Sequence, residues 1–174
     1  PNQTFDYRFE TGANITKEKI FPNSTLIFEY NSINKIKKIN DFVNSIEYNT
    51  FTDVLNKTYA NGLVTRYTYD NVSRIIQITT GNVQNLSYSY NLANNVKLIN
   101  DTRNKMVYNM TYDDLDRLIK TIIYNYNTFE HEKFIFNYNK IGGLISTTTD
   151  EVGMNYTYTS LAHAPTLIST YNRS

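Results

Sequence analysis

Bulky and small side chains alternate along short stretches of this chain. In Leu86-Ser87-Tyr88-Ser89-Tyr90 every second residue is apolar or aromatic, the period of a strand that buries one face. A turn former follows each such stretch: Asn31, Asn49, Asp70, Asn91, Asp113 or Asn139. Short Asp and Asn side chains bond the backbone two residues on and tolerate left-handed geometry. A second apolar run then returns, as in Ile75-Ile76-Gln77-Ile78 or Leu118-Ile119, and Asn61-Gly62 and Gly81-Asn82 mark turns at the other end. The pattern predicts roughly sixteen short antiparallel strands joined as hairpins.

The hairpins recur. Tyr7, Tyr30, Tyr48, Tyr69, Tyr90, Tyr112, Tyr138 and Tyr158 stand 18 to 26 residues apart. Two residues before them lie Phe5, Phe28, Ile46, Tyr67, Tyr88, Met110, Phe136 and Tyr156. Six residues after them lie Ala13, Ile36, Val54, Ile75, Val96, Leu118, Leu144 and Ala164. All sixteen flanking positions are apolar or aromatic in a chain that is 40% hydrophobic. Residues 1–174 therefore read as one array of about eight units of roughly 21 residues. The repeat core is expected at Tyr67, Tyr69, Ile75, Tyr88, Tyr90, Val96, Tyr112, Leu118, Phe136, Tyr138 and Leu144.

Composition agrees. Sixteen Tyr and nine Phe supply bulk, 25 Asn and 32 Ser plus Thr supply polarity, and Cys and Trp are absent. Aromatic and β-branched residues favour half-buried strands. Net charge is +1 with the signs interspersed, so nothing draws the chain to nucleic acid or an anionic membrane. No apolar run is long enough to span a bilayer as a helix. Opening at Pro1 without a leader, the chain is expected to be a mature product, a fragment or an intracellular protein.

Tyr67-Thr68-Tyr69-Asp70-Asn71-Val72-Ser73-Arg74-Ile75 and Met110-Thr111-Tyr112-Asp113-Asp114-Leu115-Asp116-Arg117-Leu118 resemble the YD repeat of the YD/RHS family. That repeat reads Tyr-x-Tyr-Asp-x-x-Gly-Arg-Leu. Phe136-Asn137-Tyr138-Asn139-Lys140-Ile141-Gly142-Gly143-Leu144 is a looser copy. Ser73 and Asp116 replace the family's Gly, and Asn often replaces its Asp. The resemblance implies a curved or spiralling antiparallel sheet of hairpins. In large members such as bacterial RHS toxins and animal teneurins, it closes into a hollow shell around cargo. Eight repeats are too few for such a shell, so the chain reads as a piece of a larger protein or as a short array with another role.

Ten Asn-x-Ser/Thr sequons occur, at Asn2, Asn14, Asn23, Asn56, Asn71, Asn85, Asn100, Asn109, Asn155 and Asn172. That is roughly twice the number expected by chance from this composition. Asn2, Asn23, Asn85, Asn109 and Asn155 precede an anchor Tyr by odd offsets, which places them on the opposite strand face. N-glycosylation, and hence an extracellular or cell-surface location, is the expectation.

Catalytic chemistry finds little to stand on. His131 and His163 have no partners at metal-ligand spacing. Asp113, Asp114 and Asp116 lack the ordered ligand set of a calcium loop, and Asp150-Glu151 reads as a solvated turn. The pairs Asp70/Arg74 and Asp113/Arg117 recur at one repeat position, which marks them as turn-ordering architecture. No enzyme activity, cofactor or metal is expected. The leading expectation is a glycosylated structural subunit of a surface fibre, built through contacts with other copies of itself or adjoining repeats. The alternatives are a segment of a shell that encapsulates a toxin or mediates cell contact, and a carbohydrate-binding adhesin using aromatic faces.

Overall fold

The computed structural model describes residues 6–9, 16–21, 24–157, 165 and 167–172, with side chains from residue 25 onward. All regular structure among them is β. Internal contacts group the chain into two units, Pro1–Asn85 and Leu86–Ser174.

The first unit contains β1 (Asp6–Phe9), β2 (Thr16–Phe21), β3 (Ser24–Tyr30) and β4 (Ile36–Ile39). It continues with β5 (Val43–Tyr48), β6 (Val54–Tyr59), β7 (Val64–Tyr69) and β8 (Ile75–Thr80). Each strand from β1 to β7 pairs antiparallel with the one that follows it. The second unit holds most of β9 (Gln84–Tyr90), then β10 (Val96–Asp101), β11 (Met106–Tyr112) and β12 (Leu118–Asn125). β13 (Glu130–Tyr138), β14 (Leu144–Thr148), β15 (Val152–Thr157) and β16 (Leu167–Asn172) complete it, again paired in sequence order.

The aromatic period sets the register. Tyr30 lies opposite Ile36, Tyr48 opposite Val54 and Tyr69 opposite Ile75. In the second unit Tyr90 faces Val96, Tyr112 faces Leu118, and Tyr138 faces Leu144. In all six hairpins the pairing then slips by one residue: Glu29 faces Lys38, skipping Lys37, and Thr68 faces Gln77, skipping Ile76. The slip is a β-bulge, which raises the local twist.

Burial is shallow. Within each unit, described strands contact their neighbours in the strand order, so the anchors are half-buried rather than sealed. Val43 is the one buried apolar residue among those described, beside Thr65, Thr80 and Asp101. These three polar side chains are bonded. The Thr65 and Thr80 hydroxyls meet at 2.8 Å, and the Asp101 carboxylate accepts the Arg103 and Asn104 amides at 3.1 and 3.0 Å. Cohesion therefore comes from the backbone ladder and from cross-strand pairs such as Tyr67–Ile78, each contributing about 0.2–1 kcal/mol. On β15, the Tyr171 ring occupies the space that a Cβ at Gly153 would need, so the glycine serves as a seat for the aromatic ring.

Candidate functional site

Among the described residues one turn is built six times. At Asn31, Asn49, Asp70, Asn91, Asp113 and Asn139 the side-chain Oδ1 accepts the amide two residues on at 2.9–3.1 Å. The same oxygen accepts the amide four residues on at 2.7–2.9 Å. The backbone closes the loop: the Asp113 N–H donates to the Arg117 carbonyl at 3.0 Å, and the Asp116 N–H donates to the Asp113 carbonyl at 3.0 Å. One short carbonyl-bearing side chain thus satisfies two amides that the bulge leaves without a ladder partner.

The third residue after each turn former is left-handed: Asn34, Thr52, Ser73, Asn94 and Asp116 have φ between 59° and 70°, and Gly142 has φ 90°. This is the position at which the YD pattern carries Gly. Asn34, Asn94 and Asp116 tolerate this geometry, whereas Ser73 and above all the β-branched Thr52 store strain of about 1–2 kcal/mol there.

The aspartate versions of the turn add an ion pair. Arg74 Nε donates to Asp70 Oδ2 at 2.7 Å with Nη2 at 2.6 Å, and Arg117 repeats both distances on Asp113. The Arg74 backbone amide, opposed by partial burial, holds the Asp70 carboxyl below its usual range. For Asp113 the leading cause is the Arg117 side-chain bond, followed by the Arg117 amide. Arg117 also reaches the next hairpin: its Nη1 donates to the Asn139 carbonyl at 3.2 Å, and its guanidinium lies 4.9 Å from the Tyr138 ring centre.

A second link joins successive hairpins. The Tyr48 hydroxyl donates to the Ile36 carbonyl at 2.6 Å, and Tyr69 to Val54 at 2.8 Å. Tyr112 donates to Val96 at 2.7 Å, and Tyr138 to Leu118 at 2.9 Å. In every case the acceptor is the residue six after the preceding anchor. Burial pushes the Tyr48, Tyr69 and Tyr112 hydroxyls above the ordinary tyrosine value. Sequence reasoning placed both partners in the repeat but missed the bond between them, because its acceptor is a main-chain atom in a neighbouring unit.

The remaining sequence-predicted residues fall as follows. Asn71, Asn109, Asn155 and Asn172 are exposed, while Asn56, Asn85 and Asn100 are half-buried. The Asn56 amide donates to Glu47 at 2.7 Å, and the Asn100 side-chain oxygen is buried with no hydrogen-bond partner. His131 is exposed on β13. Asn2, Asn14, Asn23, Tyr158 and His163 lie outside the described residues. Among the described residues no three His, Cys, Asp or Glu side chains gather as a metal site, and no helix is long and apolar enough to cross a membrane.

The teneurin YD-shell profile matches residues 14–166. The chain belongs to the teneurin YD-shell family. No curated protein matches it. Among solved structures, the YD-shell fold here superposes on the TcdB2-TccC3-Cdc42 crystal structure with a TM-score of 0.72 at 17% identity. That match covers 98% of this chain and 10% of the other. TcdB2-TccC3 without its hypervariable C-terminal region matches with a TM-score of 0.74 at 17% identity, over 91% of this chain and 10% of that one. The YD-shell chain described here thus spans about a tenth of the length of these relatives. At this identity the likeness concerns fold alone.

Proposed function

We propose that this chain is a stretch of shell wall: a passive, repeat-built enclosure segment that joins adjoining YD hairpins of a longer polypeptide around a protein cargo. The observation that carries this reading is the tyrosine-to-carbonyl bond repeated between successive hairpins. It ties each repeat only to its predecessor, so a wall of any length can be added hairpin by hairpin. The six matching turns have the same consequence. Built alike at every described position, they serve as architecture, and the reading requires no cofactor, metal or nucleic acid. Electron microscopy of the complete polypeptide tests it. Closed hollow particles are expected, whereas open sheets or filaments would overturn the reading.

A glycosylated surface fibre is the second reading, favoured by the exposure of Asn71, Asn109 and Asn155. Asn109 and Asn155 each lie three residues before an anchor, an odd offset. There a glycan would leave the aromatic face clear, and the compartment would be extracellular or the cell surface. Intact mass of native material before and after deglycosylation decides it: an unchanged mass removes the glycan and its compartment together.

A further inference from the structure

Only one asparagine of this chain precedes a glycine: Asn61, in the loop between β6 and β7. Both residues are exposed. Every other asparagine precedes a residue whose Cβ crowds the following amide nitrogen, whereas Gly62 leaves that nitrogen open to close approach. Once it has given its proton to a base, the Gly62 nitrogen can attack Cγ of Asn61. The N–Cγ bond forms, the Cγ–Nδ2 bond breaks, and the departing nitrogen takes a proton from water and leaves as ammonia. Water then opens the cyclic imide at one carbonyl or the other, giving aspartate or isoaspartate. Base and water are the only co-reactants.

The fold treats the two reacting groups differently. Asn61 Oδ1 accepts the Leu63 amide at 3.1 Å, a bond that draws electron density from Cγ and favours attack on it. The nucleophile is guarded. The Gly62 N–H donates to the Tyr59 carbonyl at 3.0 Å, and the Tyr59 N–H donates to the Leu63 carbonyl at 2.8 Å. An amide proton held on a carbonyl is harder for a base to remove. Neighbouring segments brace the same loop. The Ala60 N–H donates to the Phe42 carbonyl at 3.0 Å, and Asn44 Nδ2 reaches the Tyr59 carbonyl at 3.4 Å. On the other side Leu63 lies against the β8–β9 loop, where a Cβ at Gly81 would sit 3.4 Å from Leu63 Cδ2.

We propose that Asn61–Gly62 is a gated deamidation site, silent while the Gly62–Tyr59 bond is closed and reactive once the β6–β7 loop opens. Opening involves this loop alone and leaves the rest of the sheet in place. The change is one-way. The imide nitrogen has no proton left for Tyr59, and isoaspartate carries an extra main-chain carbon that the short loop cannot hold in register. The test incubates the complete polypeptide at mildly alkaline pH, folded and in guanidinium chloride, and follows position 61 by peptide mass mapping that separates aspartate from isoaspartate. In the unfolded chain position 61 is expected to convert before any other asparagine of residues 1–174. In the folded chain conversion is expected to be slower by about tenfold or more, in keeping with a rarely open loop. Leu63→Ala removes the contact with Gly81 and keeps the Asn-Gly pair. In that variant deamidation and hydrogen exchange of the Gly62 amide should rise by the same factor, with the unfolded rate unchanged. Equal folded and unfolded rates, or exchange that rises without deamidation, would overturn the gate. Earlier conversion of another asparagine in the unfolded chain would overturn the site.

Discussion

The hydroxyl of Tyr112 donates to the main-chain carbonyl of Val96 at 2.7 Å, sixteen residues back and one hairpin away. An anchor thus has two tasks: its ring covers the rung of its own hairpin, and its oxygen fastens that hairpin to the one before. A phenylalanine could perform only the first.

Tyr112→Phe is therefore expected to destabilise the chain by about 0.5–1.5 kcal/mol, the net worth of one hydrogen bond. Urea unfolding measures it, and Tyr69→Phe should behave alike. An unchanged midpoint in both variants would show that the bond adds nothing.

Alkaline pH should act on the same bonds. The folded values of Tyr48, Tyr69 and Tyr112 are raised, chiefly by burial. Their contribution is complete below the unfolded tyrosine value near 10 and is lost as pH rises through the folded one. A tyrosinate also has no proton to donate. Stability followed from pH 8 to 11.5 should fall in the upper part of that range, and less steeply in a Tyr48→Phe, Tyr69→Phe, Tyr112→Phe triple variant.

The turn former separates two roles. Four of the six turns use Asn with the same amide bonds, so Asp113→Asn should keep the loop and lose only the Arg117 pair. Asp113→Ala loses both, giving the stability order wild type, then Asn, then Ala. Acid completes the argument. The folded Asp70 and Asp113 values are lowered, so their contribution is present above the unfolded aspartate value near 4 and disappears as pH falls through the folded one. Asp113→Asn should flatten the acid limb of the denaturation profile, and an unaltered limb would count against the pair.

Strain at the left-handed position is open to repair. Thr52 holds φ 70° with a β-branched side chain, and Thr52→Gly is expected to raise stability by about 1 kcal/mol. At Gly142, where a Cβ meets nothing within 4 Å, Gly142→Ala should cost about 1 kcal/mol through φ alone. A thermal melt that moves the same way for both would refute the account.

Much of this was legible in the residues. The alternation in Leu86-Ser87-Tyr88-Ser89-Tyr90 marked a strand, and the six-residue offset from Tyr69 to Ile75 is the rung now seen in the register. The turn formers were legible because Asn and Asp compete locally for backbone amides, an effect that needs no distant partner. The apolar residues exposed on the turns were not legible: Ile33, Phe51 and Val72 follow no strand period, and nothing in a linear chain says which apolar residue will stand in solvent.

By itself, then, the sequence determined what is local and periodic: strands, turns, the family, and the six-residue offset that becomes the rung of six hairpins, though not of the first, where Tyr7 faces Lys19. Those follow from backbone preference and a two-residue period, which act within about twenty residues. Only the tertiary structure decided that the anchors stay half-buried, that Tyr112 reaches the Val96 carbonyl, and that Arg117 extends to Asn139 and Tyr138. These depend on how one hairpin lies against the next. A hydrogen bond to a main-chain atom leaves no mark on the identity of the residue that accepts it.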